Sequence, residues 1–169
     1  MQKMQFVFNP HNRIFPSYPC VPWFNSFQLA VSTMTDITYQ LEPQLAVDDF
    51  IDVLNRSTLG ERRPVENRTR MTQMLAGADV ICTARDATGK LVGVARALSD
   101  RCYATYLADL AVDAACQKQG IGRRLLRECH VAAGLNTMLI LLAAPQAQSY
   151  YPHIGLTRHD SCWTIAREA

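Results

Sequence analysis

No stretch of this 169-residue chain stays apolar for the roughly twenty residues that a bilayer-crossing helix requires, so no membrane association is expected. Charge of one sign is equally scarce: 17 Lys and Arg against 15 Asp and Glu leave a net +2, with no basic run and no interleaving of basic and aromatic residues. That removes the usual electrostatic footprint of a nucleic-acid binder or of a protein held on an anionic membrane. The six cysteines form no Cys-x-x-Cys pair and no Cys/His cluster of zinc spacing, and His130 and His153 stand apart, so no metal is expected. Scattered thiols of this kind read as reduced, structural residues in a cytoplasm. No secretory leader is expected either, because no basic segment precedes a clean apolar one.

What is present suffices for one hydrophobic core and is short for two: 49% of the residues are hydrophobic and 19% charged. The first 35 or so residues differ in texture, with Pro10, Pro16, Pro19 and Pro22 among aromatics that follow neither a period of two nor one of 3.6. The expected organisation is a poorly structured extension over residues 1–35 and a folded domain over residues 36–169. Met34 stands immediately before the first expected strand and is a candidate start of translation.

From Ile37 the chain reads as a mixed α/β domain. A short strand covers Ile37 to Gln40, and Leu45, Phe50, Ile51 and Leu54 recur at near-helical spacing over Gln44 to Leu54. A second helix is expected from Pro64 to Leu75, closed by Gly77. Val80–Ala84 and Leu91–Ala97 form a hairpin about Asp86 to Lys90, where Gly89 supplies the positive φ. Tyr103 to Val112 is a long strand. Ile121, Leu125, Cys129 and Ala132 stripe the next helix, which Gly134 ends. Met138 to Leu142 reads as a strand buried on both faces. A short helix through Ala147 to Tyr151, ended by Pro152, and a last strand around Trp163 to Ala166 complete the order.

The segment between the long strand and its helix carries the chemistry. Gln117-Lys118-Gln119-Gly120-Ile121-Gly122-Arg123-Arg124 offers two glycines that admit an anion close to the backbone, unpaired N–H groups at a helix start, and three cationic side chains. A helix dipole favours such an anion by about 0.3 to 2 kcal/mol per charge, so the pattern suits a pyrophosphate. It is not a Walker loop, which needs Lys-Ser/Thr after the last glycine where Arg123 and Arg124 stand. Nor is it a dinucleotide fingerprint, since Leu125 replaces the third small residue. The alternative is an ordinary strand-to-helix turn with solvated charges.

Gln117, Gly120 and Gly122 resemble the acetyl-CoA motif Gln/Arg-x-x-Gly-x-Gly/Ala of the GNAT family of N-acetyltransferases, placed as in that family between a strand ending in Leu110-Ala111-Val112 and a helix. A second resemblance follows downstream, where Tyr150-Tyr151-Pro152-His153-Ile154-Gly155-Leu156 is similar to the family's Phe-Tyr-x-x-x-Gly-Phe signature. The resemblance spans roughly Ile37 to Ala166. It implies the GNAT fold, a mixed and mostly antiparallel sheet whose splayed central strands are flanked by helices. It also implies acetyl-CoA as co-substrate and a primary amine of a small molecule or protein as acceptor, attacked directly in a ternary complex. Leu110, Ala111 and Val112 would then bind the pantetheine arm, and Gln117, Lys118, Gln119, Gly120, Ile121, Gly122 and Arg123 the pyrophosphate, with Arg124 adding charge.

The chemistry needs a neutral amine and a stabilised thiolate. Deprotonating an alkyl amine of pKa about 10.4 at pH 7 costs near 4 kcal/mol, which calls for a base or a desolvating site with a water relay. Asp109, inside an otherwise apolar strand, is a candidate base or a seat for the cationic amine; equally it pairs with an arginine such as Arg62 or Arg96. Tyr151 matches the family's tyrosine that donates to the coenzyme A thiolate, with core packing as its plain alternative. Glu61, Arg62 and Arg63 either meet an acceptor carboxylate or phosphate or form a solvated helix start. A homodimer stays open, and so does a rival class of function, an acyl-CoA-binding sensor or partner-binding module without turnover.

Overall fold

The computed structural model describes residues 36–166; the extension expected over residues 1–35 and the candidate start at Met34 lie outside them. Five strands form one sheet in sequence order: β1 (Thr38–Leu41), β2 (Val80–Arg85), β3 (Leu91–Ser99), β4 (Ala104–Val112) and β5 (Met138–Leu141). The first four pair antiparallel, and β5 joins β4 in parallel. Four α-helices accompany them: α1 (Val47–Arg56), α2 (Arg68–Ala76), α3 (Ile121–Ala133) and the single turn α4 (Tyr150–His153). The expected mixed α/β architecture is present.

Successive residues of the central strands face opposite layers, and both layers are apolar. Val80, Cys82, Val92, Ala95 and Leu107 pack with Ile121, Leu125, Cys129 and Ala133 of α3. On the other face Ile81, Leu91, Val94 and Ala111 meet Phe50, Val53 and Leu54 of α1 and Met71 and Leu75 of α2. The α3 stripe is thus Ile121, Leu125, Cys129 and Ala133, one residue on from the expected Ala132 at its last position. Gly93 lets α3 sit close to β3: a Cβ there would fall 2.8 Å from Leu125 Cδ1 and 3.3 Å from the Ala111 carbonyl.

One irregularity shapes the centre of the sheet. Arg96 pairs with Asp109 but Ala97 pairs with Leu107, so Ala108 is an extra residue on β4, a β-bulge. The β4–β5 pairing stops at the same point, with Leu107 opposite Leu141. Beyond it, residues 108–112 of β4 keep β3 on one side and have no strand on the other, which is the splay the family resemblance implied.

Four expectations differ from the structure. α1 starts at Val47 rather than Gln44, after a turn through Pro43. α2 starts beyond Asn67, whose side chain accepts from the Arg70 N–H at 2.9 Å; Leu59–Arg62 is a short 3-10 turn, and Pro64 lies in the turn that follows. Pro152 sits within α4 instead of ending it, which its place in a first turn allows. The largest difference is at the end of the sheet. No strand forms over residues 163–166, where Trp163 and Ile165 are exposed, so β5 is an edge strand with Met138 and Ile140 open to solvent rather than buried on both faces.

Candidate active site

The bulge, the parting of β4 from β5 and the start of α3 open a cleft of about 600 Å³. Its walls include Leu110, Ala111 and Val112 of β4, Gln117, Lys118, Gly120, Ile121, Gly122 and Arg123 of the loop and helix start, and Tyr150 and Tyr151 of α4. Ten of the residues singled out in the sequence for donor binding and chemistry therefore line one space.

The loop geometry follows from its residues. Gly120 caps α3 at φ 82° with open space where a side chain would stand, and Lys118 shares the left-handed region at φ 62°. Two left-handed residues so close together curl the backbone into the kind of concavity that collects N–H groups around an anion. No side chain caps α3, and its first internal bond runs from the Arg124 N–H to the Gly120 carbonyl at 3.1 Å. The N–H groups of Ile121, Gly122 and Arg123 therefore precede the hydrogen-bonded ladder, at the positive end of a 13-residue helix. Gln117 ties the loop to the strand, its Nε2 donating to the Val112 carbonyl at 3.1 Å. Asp113 secures the strand end, pairing with Arg56 of α1 and accepting from the Ala115 N–H at 3.0 Å.

Two of the expected donor-site residues lie elsewhere. Arg124 stacks on the Tyr39 ring with its guanidinium 4.1 Å from the centroid, and faces Glu128 at 3.6 Å. Helical spacing explains this: Arg124 is the fourth residue of α3, closing its first turn and rotated by about 100° from Arg123, which faces the cleft. Gln119 also lies off the cleft wall.

A smaller cavity of about 170 Å³ adjoins the cleft across the splay, walled by Leu59, Arg62, Arg63, Tyr106, Ala108 and Leu142 among others. Leu59, Leu110, Ala144, Ala147 and Tyr151 border both spaces. Tyr151 thus stands at their junction, edge-to-face against Tyr150 at 5.4 Å between centroids. Burial, and after it the neighbouring Tyr150, hold the Tyr151 phenol above its ordinary value, so it keeps its proton and can donate. Burial raises Tyr150 as well, against the pull of Arg123.

Asp109 takes the arginine-pairing role. Its side chain is fully buried, Oδ1 meets Arg63 Nε at 2.5 Å and Oδ2 meets Arg96 Nε at 2.6 Å. The guanidiniums continue outward, Arg63 to the Ala108 carbonyl at 2.8 Å and Arg96 to the Met74 carbonyl at 3.1 Å. With both oxygens engaged, the carboxylate pins the connection between α1 and α2 to the bulge. Of the two partners the sequence suggested, Arg96 is correct and Arg63 stands in for Arg62.

Several wall residues had no signal in the sequence. Ser57, Thr58 and Leu59 arrive from the end of α1, and Ala144, Gln146 and Ala147 from the segment after β5. Tyr150 is the exception, since a Cβ on Gly122 would lie 3.0 Å from its hydroxyl: the second glycine of the motif makes room for the first tyrosine of the other. Among the described residues no group of His, Cys, Asp and Glu could hold a metal, and no helix is long and apolar enough to cross a membrane.

Solved structures share this fold. A GNAT-family acetyltransferase from Streptococcus pneumoniae matches with a TM-score of 0.61 at 22% identity, covering 78% of this chain and 99% of its own. An aminoglycoside acetyltransferase from an uncultured soil metagenomic sample, in complex with sisomicin, matches at 0.60 and 16%, covering 79% and 96%. Glucosamine-6-phosphate N-acetyltransferase from Arabidopsis thaliana matches at 0.54 and 18%, covering 78% and 99%. No curated protein matches by sequence. The structural likenesses establish the fold, and a family model for the acetyltransferase (GNAT) domain matches residues 77–157, from the end of α2 through both motifs. Those residues belong to the acetyltransferase (GNAT) family, whose chemistry is acetyl transfer.

Proposed function

We propose that this chain transfers an acetyl group from acetyl-CoA to a primary amine of a small molecule or protein, by direct attack within a ternary complex. The observation that carries this reading is the position of Tyr151, where the large cleft and the small cavity meet. The pyrophosphate would lie on the N–H groups of residues 121–123 between Lys118 and Arg123, and the pantetheine arm along Leu110, Ala111 and Val112. The thioester would then reach the junction beside Tyr151, with the amine entering from the cavity. As the amine nitrogen bonds the carbonyl carbon and the C–S bond breaks, the phenol donates to the sulfur. Transfer from an ordinary phenol of pKa about 10 to a thiolate of about 8.5 is already uphill by about 2 kcal/mol, and the raised Tyr151 phenol makes it steeper, so the hydrogen bond matters more than a completed transfer. Among the described residues no carboxylate or imidazole faces the cavity, so the amine gives up its proton to water. The neighbours that act on an aminoglycoside and on glucosamine 6-phosphate support an amine on a small molecule as the acceptor.

The test is thermal unfolding with acetyl-CoA, free CoA and desulfo-CoA, in wild type and Gly120→Glu. Ligand at a hundredfold over its Kd should stabilise the wild type by about 2.7 kcal/mol. The glutamate places a carboxylate in the open space beside Gly120, and its variant should show no shift. Stabilisation without thiol release from any amine would favour a sensor on the same fold, and no stabilisation by any CoA species would end the donor-site reading.

A further inference from the structure

The smaller cavity has an electrostatic character that selects among amines. Arg62 and Arg63 line it, and among the described residues no acidic side chain does. Asp109 lies behind the wall with its carboxylate consumed by two guanidiniums, so the Arg63–Asp109–Arg96 trio has two positive charges against one negative and keeps one in surplus. Arg62, exposed beside it, adds another. The Arg63 side chain is 24% exposed, and only three of the five N–H groups of its guanidinium are engaged, by Asp109, the Arg62 carbonyl and the Ala108 carbonyl. Its remaining donors form a fork of fixed geometry whose preferred partner is a carboxylate or phosphate. The bonds to Asp109 and to two carbonyls prevent that fork from swinging away, so it is a preformed feature of the site.

Resting on the acetyl-transfer reading, we infer that the acceptor is a small amine that also carries an anionic oxygen group, a carboxylate or a phosphate, bound by Arg62 and Arg63 while its nitrogen points to Tyr151. A polycationic amine meets two uncompensated positive charges here and no carboxylate to receive it. Size agrees, since about 170 Å³ is below the usual range of roughly 300–1,000 Å³ for ligand pockets. The positive wall has a further effect, because it disfavours the ammonium form of a bound amine and lowers its pKa toward the neutral nucleophile that attack requires.

The experiment measures thiol release from acetyl-CoA with matched amines: β-alanine against n-propylamine, O-phosphoethanolamine against ethanolamine, and spermidine as the polycation. The anionic member of at least one pair should exceed its neutral partner in kcat/KM by about ten- to a hundredfold, the range of a charge-assisted hydrogen bond. Which pair responds separates carboxylate from phosphate. Arg62→Gln should shrink that ratio, chiefly through KM, and Arg62→Glu should invert it; Arg62 is exposed, so both variants should fold. Equal or better turnover of neutral amines or spermidine would overturn the assignment. Turnover of none of the panel, with acetyl-CoA still raising the unfolding temperature, would overturn it while leaving donor binding intact. Loss of the acetyl-CoA shift in the wild type would overturn the underlying acetyl-transfer reading as well.

Discussion

Tyr151 and Asp109 are the two side chains that the sequence put forward for chemistry, and the structure treats them differently. Tyr151 borders both spaces with a phenol that burial keeps protonated. Tyr151→Phe should lower kcat by about a hundredfold, the lower end of what a positioned acid supplies, with little change in KM for acetyl-CoA. The same geometry fixes a pH profile. With no carboxylate or imidazole on the cavity wall among the described residues and an amine of pKa about 10.4, the neutral fraction grows tenfold per pH unit, so kcat/KM should climb with unit slope to about pH 10. A plateau beginning near pH 7 would reveal an enzyme base. Asp109→Asn, by contrast, strips the shared partner from two guanidiniums, one of them only 8% exposed, and should cost about 3 kcal/mol in urea unfolding while folded molecules keep their kcat and change only in KM for the acceptor, through the loosened Arg63. Unchanged stability with lost turnover would return Asp109 to the base role.

At the level of elements, legibility tracked how local the cause was. The β2–β3 hairpin, the long β4 and α3 with its glycine ends were readable because period, turn glycine and cap lie within a few residues of one another. The start of α2 was not, although Pro64 looked like a first-turn residue. Arg63 is extended at φ −130°, as the residue before a proline prefers, and its side chain is drawn to Asp109 on a strand 46 positions away. The helix then waits for Asn67 to cap it. The splay was likewise expected only through family resemblance, and the bulge at Ala108 that accompanies it was not expected at all, since nothing in the residues Leu107 to Leu110 marks an unpaired position. Gly93 gives this layer its test. Gly93→Ala would press on Leu125 and Ile121, which are fully and almost fully buried, and should destabilise by about 1–3 kcal/mol. Because Ile121 opens α3, the same variant should weaken acetyl-CoA binding although it touches no ligand; undiminished affinity in calorimetry would mean that the loop is positioned independently of the β3–α3 contact.

For the whole molecule the least legible feature is the far end of the sheet. Met138 to Leu142 is an uninterrupted apolar run, and such runs belong to interior strands when another strand follows on the outer side. Here none does among the described residues, and the consequence is an apolar face that the domain does not cover. Cross-strand register sets Leu98, Tyr106 and Ile140 in one row over β3, β4 and β5, at 40%, 40% and 45% exposure, with Met138 beside them at 61%. An edge strand with apolar side chains and free backbone groups is the standard template for association with another sheet edge. The sedimentation coefficient of the wild type should therefore rise with concentration, and Met138→Lys with Ile140→Lys should hold it at the monomer value. Both residues are largely solvent-exposed, so these changes should move stability by no more than about 0.5 kcal/mol. Neither lines the cleft or the smaller cavity, and acetyl-CoA should stabilise the double variant as it does the wild type. A wild type that sediments as a monomer at every concentration would show that the exposed edge is tolerated as it stands; a double variant that loses its acetyl-CoA response along with its self-association would show that the donor cleft depends on a neighbouring copy.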